Sequence, residues 1–177
     1  MMKKILAFSG SNHSKSINQQ LVNFAASLVK EARVEILNIS HWKIPVYSID
    51  MDPDQTPVEI TQLIELIYNH DGFIISSPEH NGSTPAFFKN IIDWLSRRSK
   101  NVFGNKPMLL MSASPGKKGG VNNRKFLEHL LPHLGANITT TFSISSFYQN
   151  MQNGKVDDEL QEELGKELTT FLQVLNN

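Results

Sequence analysis

The chain has 177 residues and no cysteine. This absence excludes a disulfide framework, a thiolate nucleophile, and zinc or iron–sulfur sites built on cysteine ligands. If the protein carries out redox chemistry, a bound cofactor must therefore supply it.

The sequence also lacks an excess of either charge, because Lys plus Arg and Asp plus Glu both number 17. Long apolar runs are missing as well: only Ile5 to Phe8 separate Lys4 from the polar segment 9–12, far fewer residues than a signal peptide or a membrane span needs. We therefore expect no nucleic-acid partner, no membrane partner and a cytoplasmic location. The length and the 40% hydrophobic content predict a single domain, residues 1–177, with one site.

Short apolar runs alternate with longer amphipathic ones, which is the pattern of βαβ units around a parallel sheet. The predicted strands are Lys4–Ser9, Arg33–Asn38, Gly72–Ser77, Lys106–Ser112 and Asn137–Ser143. The predicted helices run from Ser16 to Ala32, from a capping box at Thr56 through Ile67, from Pro85 through Leu95, from Val121 to Leu134, and from Asp157 to Leu175. This alternation predicts an α/β fold, a flavodoxin-like three-layer sandwich with a five-stranded parallel sheet of order 2-1-3-4-5. The alternative, a six-stranded dinucleotide fold, needs more chain.

The loops after the first, third and fourth strands are the polar, glycine-rich parts of the chain. They comprise Gly10–Asn18, Ser77–Pro85 and Ser112–Gly120. The predicted strand order brings all three to the carboxyl edge of the sheet, where open α/β sheets bind ligands. We expect them to form one pocket.

The first loop combines hydroxyl groups with the free N–H groups of a helix N-terminus, a setting that binds phosphate. It contains neither a Gly-Lys-Ser/Thr sequence nor G-x-G-x-x-G. A single terminal phosphate therefore fits better than a pyrophosphate or a triphosphate. The alternative is a hydroxyl-rich turn in which Ser16 only caps the helix.

The second loop contains proline, asparagine and glycine, which permit tight turns and leave backbone donors free for a planar ligand. Donors near the pyrimidine edge of a flavin stabilise negative charge on the reduced ring. The alternative is a surface loop with Thr84 as a cap, and Glu79 is interpreted as a residue that orients the loop. The third loop would wall the other side of the ring. Its alternative is a flexible glycine connector with Lys117 and Lys118 solvated.

Together these segments resemble, in order, three motifs of the NADPH-dependent FMN reductase family, which includes quinone, azo-dye and chromate reductases. The most specific part is Pro78–Pro85 followed by Lys89–Arg97. The resemblance implies an enzyme with FMN as cofactor and NADPH or NADH as co-substrate. Hydride would pass from the nicotinamide through FMN to a quinone, an azo compound, a metal oxyanion or free flavin.

The resemblance also implies a set of site residues, with the phosphate held by the first loop, the flavin ring and ribityl chain facing residues 78–82, and the third loop completing the pocket. The implied cofactor-binding residues are Ser11, His13, Ser16, Ile17, Asn18, Pro78, Glu79, His80, Asn81, Gly82, Ser114, Gly116 and Gly119. No side chain is assigned as catalytic, because the N5 atom of the flavin carries the chemistry. The chain departs from the family at His13, where arginine is usual, and at His80, where tyrosine is usual.

Two other functions stay open at this point: a flavodoxin-type electron carrier, which the neutral charge disfavours, and a flavin-binding or nucleotide-binding module without turnover.

His129 and His133 have the i, i+4 spacing of a metal pair, but no third ligand follows and we predict no metal site. The sequence offers several basic candidates for contact with the 2′-phosphate of NADPH. They are Lys15, Arg97, Arg98, Lys117 and Lys118.

The third predicted helix carries two apolar rows, Phe87, Ile91 and Leu95 in one and Phe88 and Ile92 in the other. One row must face the sheet, and the second is either a subunit contact or part of a broad buried face. With the family resemblance, this favours a homodimer or a tetramer.

Overall fold

Five parallel strands form the central sheet of the computed structural model, which describes residues 2–52 and 54–177. The strands are β1 (Lys4–Ser9), β2 (Arg33–Leu37), β3 (Gly72–Ser76), β4 (Pro107–Ala113) and β5 (Asn137–Ile144). Their order is β2-β1-β3-β4-β5 and all neighbours are parallel, so the predicted topology is confirmed. β3 is buried along its whole length, as expected for a strand covered on both faces.

Helices cover both faces of the sheet. They are α1 (Ile17–Leu28), α2 (Val58–Asn69), α3 (Ala86–Arg98), α4 (Val121–Leu130), α5 (Phe147–Asn150) and α6 (Asp158–Asn176), with short 3₁₀ turns at Ile49–Met51 and Leu131–Leu134. α1 and α6 pack on one face, against Ile5 and Ile74, whereas α2, α3 and α4 pack on the other, against Leu6 and Phe73. The three-layer sandwich is therefore confirmed. No helix of the described residues is long and apolar enough to cross a membrane.

Several element boundaries differ from the predictions. α2 begins at Val58 with Pro57 as its N-cap residue, one position after Thr56 of the predicted capping box. α4 ends at Leu130 because Pro132 has no N–H group to continue it, and the chain goes on in a 3₁₀ turn. Between β5 and α6 the chain forms α5 and a small hairpin of β6 (Met151–Gln152) and β7 (Lys155–Val156), neither of which was predicted.

Both apolar rows of α3 are covered by the chain itself, apart from Phe87, which is half-buried. Segment 39–48 lies over the helix: the Trp94 Nε1–H and the Asn90 Nδ2–H both donate to the Pro45 carbonyl at 2.9 Å. The Tyr47 ring meets the Trp94 ring edge to face, with 5.1 Å between centroids. The other four residues of the two rows are buried within the chain, so the structure has the broad buried face and no exposed second row.

Gly10 fixes the point at which the first loop leaves β1. Its N–H donates to the Ser76 carbonyl of β3 at 2.9 Å, which holds its backbone close to α3. A Cβ atom built at this position would lie 2.5 Å from Cγ of Phe88. Because Cγ belongs to the rigid base of the ring, only glycine fits without displacing the aromatic side chain.

We predict that Gly10→Ala lowers the free energy of unfolding by about 1 to 3 kcal/mol, because the added methyl group overpacks the contact with Phe88. The matched control is Gly165→Ala in α6, where a Cβ meets nothing within 4 Å and should stabilise by about 0.5 kcal/mol. Urea denaturation measures both. Gly10→Ala should cost less in a Phe88→Ala background than in the wild type, because the ring that the new methyl group would meet is absent there. Equal effects of the two glycine substitutions would contradict the packing argument.

Candidate functional site

A cavity of about 320 Å³ opens at the carboxyl ends of β1, β3 and β4. Nine of the thirteen predicted site residues line it: Ser11, His13, Ser16, Ile17, Asn18, Pro78, Glu79, His80 and Ser114. The other lining residues are Lys15, Ala113, Pro115 and Tyr148. The four remaining predicted residues, Asn81, Gly82, Gly116 and Gly119, belong to the same loops but lie outside this lining. The volume is in the range of a small-ligand site.

The first loop presents hydrogen-bond donors to the cavity. Ser16 is the N-cap of α1 and its Oγ accepts from the Gln19 N–H at 3.3 Å, while Ser11 Oγ accepts from the His13 N–H at 3.2 Å. Both hydroxyl groups therefore keep their own protons for a ligand. The first turn of α1 has no acidic residue, and the loop adds His13 and Lys15. This donor set suits a phosphate group at the positive end of the helix dipole.

Asn18 anchors α1 to the sheet below the cavity. Its fully buried amide oxygen accepts from Ser76 Oγ at 2.7 Å and from the Ala113 N–H at 2.9 Å, and its Nδ2 donates to the Ala113 carbonyl at 3.0 Å. The side chain thus joins the ends of β3 and β4. The assigned contact with phosphate stays a prediction, and the position of the first loop depends on this residue.

Asn81 and Gly82 form the tip of a two-residue turn in the second loop. Their φ angles are +51° and +78°, and His80 and Ser83 exchange two backbone hydrogen bonds of 2.9 and 3.0 Å around them. This is the left-handed geometry that Asn-Gly favours in tight hairpins. The turn leaves Pro78, Glu79 and His80 as the part of the loop that lines the cavity.

Glu79 caps α4 from the second loop. Its Oε2 accepts from the N–H groups of Asn122 and Asn123 at 2.9 and 3.2 Å, and its Oε1 accepts from Asn122 Nδ2 at 3.1 Å. A carboxylate at a helix N-terminus is stabilised by free N–H groups and by the helix dipole. This geometry fits the interpretation of Glu79 as a residue that orients the loop.

Asn123 is a positioning residue that the sequence reading missed. Its buried Nδ2 donates to Ser77 Oγ at 2.9 Å and to the Pro78 carbonyl at 2.6 Å, and its Oδ1 accepts from Thr84 Oγ1. The side chain of α4 therefore holds both ends of the second loop. The signal in the sequence was a polar residue at position 123, four before the buried Leu127, on the apolar face of an amphipathic helix.

Hydrogen bonds tie the third loop to the edge of the sheet, which favours a pocket wall over a flexible connector. Ser112 Oγ donates to the Gly119 carbonyl at 2.6 Å and lies 2.8 Å from Ser143 Oγ. Gly119 has φ +61°, and a Cβ there would lie 3.2 Å from the Ser145 nitrogen. This glycine is therefore required by packing against the end of β5. Lys117 and Lys118 are exposed, as predicted.

The segment after β5 also reaches the cavity. The Ser146 N–H donates to the Gly116 carbonyl at 2.9 Å, and the Phe147 N–H donates to the Ser114 carbonyl at 3.1 Å. These bonds join α5 to the third loop and bring Tyr148 into the cavity lining. The sequence reading assigned no element here, so Tyr148 was not recognised.

A larger cavity of about 610 Å³ lies along the outer edge of β5, between Glu128 and Glu167. It is remote from the carboxyl ends of the strands, and its two carboxylates disfavour a phosphate, so we assign the site to the smaller cavity.

The rings of His129 and His133 meet edge to face, with 5.4 Å between their centroids. Within residues 2–52 and 54–177, no group of three or more His, Asp or Glu side chains is placed to hold a metal.

Comparison with known proteins agrees with this geometry. The family model for NADPH-dependent FMN reductase matches residues 3–149. An NAD(P)H-dependent FMN reductase of Pseudomonas aeruginosa is 33% identical over 132 residues, which cover 74% of this chain and 70% of that protein. A quinone reductase of Escherichia coli is 33% identical over 120 residues, 67% of this chain and 62% of that protein.

Among solved structures, FerB of Paracoccus denitrificans, a flavoenzyme NAD(P)H:(acceptor) oxidoreductase, superposes with a TM-score of 0.80 at 25% identity. The superposition covers 99% of this chain and 98% of FerB. The fold, the site and these matches define a flavodoxin-like oxidoreductase that uses FMN and NAD(P)H. The chain belongs to the NADPH-dependent FMN reductase family.

We predict that Asn123→Ala destabilises the protein by about 1 to 3 kcal/mol, because it leaves buried polar groups of the second loop unpaired. The matched control is Asn69→Ala in the last turn of α2, since that side chain is exposed and lies outside the site, so its loss should cost about 0.5 kcal/mol or less. Thermal and urea unfolding measure both. The FMN affinity of Asn123→Ala should also fall, and an affinity equal to that of Asn69→Ala would contradict a role in positioning the loop.

Proposed function

We propose that this chain binds FMN in the 320 Å³ cavity and uses NAD(P)H to reduce a small quinone. One observation carries the proposal: the first loop gathers two free hydroxyl protons, a helix N-terminus and two basic side chains at one end of a cavity whose other lining comes from the second and third loops. Such a site has a phosphate end and an end for a planar group. A mononucleotide, which has a phosphate at one end and a planar group at the other, fits such a site.

The side chains have distinct roles in this proposal. Ser11, His13 and Ser16 hold the phosphate, and the backbone of residues 78–80 supports the ring. Bound FMN would supply the redox chemistry between NAD(P)H and the acceptor. Glu79 is engaged with the N-terminus of α4 and serves to fix the loop.

The choice of a quinone rests on the site and on the relatives. His80 is exposed at the cavity, so the ring region is open to an exchange of nicotinamide for acceptor. A relative from Escherichia coli carries the name quinone reductase. Azo compounds, metal oxyanions and free flavin are the other acceptors to compare under the same conditions. The neutral formal charge argues against an electron carrier that docks through an acidic surface.

We predict uptake of about one FMN per chain, with riboflavin bound about 100-fold more weakly because two or more charge-assisted hydrogen bonds to phosphate are lost. Fluorescence titration measures both ligands. Ser16→Ala should weaken FMN and leave riboflavin unchanged, whereas Ser40→Ala, outside the site, should change neither. Equal affinities for the two ligands would contradict the phosphate role of the first loop.

Turnover separates the proposed enzyme from its alternatives. Purified protein with FMN should oxidise NADH or NADPH when a benzoquinone is added. Tight FMN binding without turnover would instead indicate an electron carrier, and no FMN binding would leave a module of another kind.

We predict that His13 contributes to FMN affinity by donating a hydrogen bond to the phosphate. His13→Ala should weaken FMN about 3- to 10-fold and leave riboflavin unchanged, whereas His13→Arg should bind FMN at least as tightly as the wild type, because a guanidinium group can hold phosphate through two hydrogen bonds. Fluorescence titration of the three proteins with both ligands measures these affinities. Equal FMN affinity in the wild type and in His13→Ala would show that His13 does not contact the phosphate.

The cytoplasmic location and the homodimer or tetramer stay predictions from the sequence and the family resemblance. Size-exclusion chromatography with light scattering measures the oligomeric state directly.

A further inference from the structure

Tyr148 is the single Phe, Tyr or Trp side chain among the residues that line the 320 Å³ cavity. The rest of the lining is hydroxyl, amide, imidazole, charged or small aliphatic. A flavin ring is a broad planar aromatic surface, which gains most from contact with another aromatic ring. The cavity provides that contact at one position, on the β5 side.

The backbone around Tyr148 is fixed before any ligand binds. Phe147 is 1% exposed and its N–H donates to the Ser114 carbonyl, while Asn150 Nδ2 donates to the Ser145 carbonyl at 2.8 Å. Ser146 has a φ of +45°, in the left-handed region that non-glycine residues seldom adopt. Such a conformation persists where surrounding contacts over-determine it, as the two bonds to the third loop do here.

Tyr148 is nevertheless 66% exposed, although its backbone is anchored on both sides. Its neighbour Phe147 meets it only edge to face, with 5.8 Å between centroids, so a face of the ring is left for another partner. A ligand that covers this face removes apolar surface from water and needs no rearrangement of the backbone.

We propose that Tyr148 is a flavin-binding residue that packs its ring against the planar part of the bound cofactor. The inference rests on the proposed function and adds a residue from a fourth loop, between β5 and β6, to the three loops already described. It separates the site by chemistry: the first loop recognises the phosphate, and Tyr148 recognises the ring system.

The test compares Tyr148→Ala and Tyr148→Phe with Tyr68→Ala, a matched control at an 81% exposed tyrosine on α2, outside the cavity. Tyr148→Ala should weaken FMN and riboflavin by the same factor, about 3- to 10-fold, because the lost contact is with the ring that both ligands share. Tyr148→Phe should bind both ligands like the wild type, and so should Tyr68→Ala.

The fluorescence intensity of bound flavin distinguishes a contact between Tyr148 and the flavin ring from a purely structural role of Tyr148. A phenol in contact with a flavin quenches its fluorescence by electron transfer, whereas a phenyl ring does not. Bound FMN should therefore be dim in the wild type and in Tyr68→Ala, and several-fold brighter in Tyr148→Phe at saturating protein.

Each result has a definite meaning. Failure of the wild type to bind any flavin overturns the proposed function itself. Normal FMN binding with no change of affinity or emission in the Tyr148 variants overturns the present inference alone. Weakened FMN with unchanged riboflavin would place Tyr148 at the phosphate and also overturn it. If Tyr148→Ala lowers the melting temperature of the flavin-free protein, the emission of Tyr148→Phe still decides.

Discussion

The carboxyl edge of a parallel sheet leaves strand ends and loop backbone in need of hydrogen-bond partners, and two buried asparagines supply them here. Asn18 reaches in from α1 on one face and joins β3 to β4. Asn123 reaches in from α4 on the other face and holds Ser77 and Pro78. Because buried polar groups without partners are costly, these two side chains fix the loops above them. The geometry of the whole site depends on this arrangement.

This internal bonding also determines which groups are left for a ligand. The carboxylate of Glu79 is engaged by the N–H groups at the N-terminus of α4. Ser11 and Ser16 each accept one backbone N–H and keep a proton to donate. The part of the cavity lining that comes from the first loop is therefore rich in donors, and the rest of the lining includes Pro78, His80 and the exposed Tyr148. A mononucleotide fits this division, and its redox chemistry needs no further acid or base from the protein.

The strands of the sheet could be predicted from the sequence because each is a short apolar run bounded by polar residues, which is a local pattern. Each of the five strands begins and ends within one residue of its prediction, and polar loops follow β1, β3 and β4. Asn123 and Tyr148 were missed because their roles depend on contacts between distant segments: Asn123 bonds Ser77 across 46 positions of the chain. The apolar rows of α3 left open whether the second row is buried or forms a subunit contact. Segment 39–48, which bonds Asn90 and Trp94, has no periodic pattern that predicts its contact with the helix. Asn81 and Gly82 have the positive φ angles of the tight turn that the sequence predicts, and their contact with the ligand stays a prediction.

Hydrogen–deuterium exchange with and without FMN tests the central claim most directly, because it reports every loop at once. The account predicts FMN-dependent protection of residues 11–18, 78–82 and 113–116, with protection also in α5 and none along residues 137–141 of β5. Protection centred on the larger cavity at the β5 edge, or an unprotected first loop in the presence of saturating FMN, would contradict it.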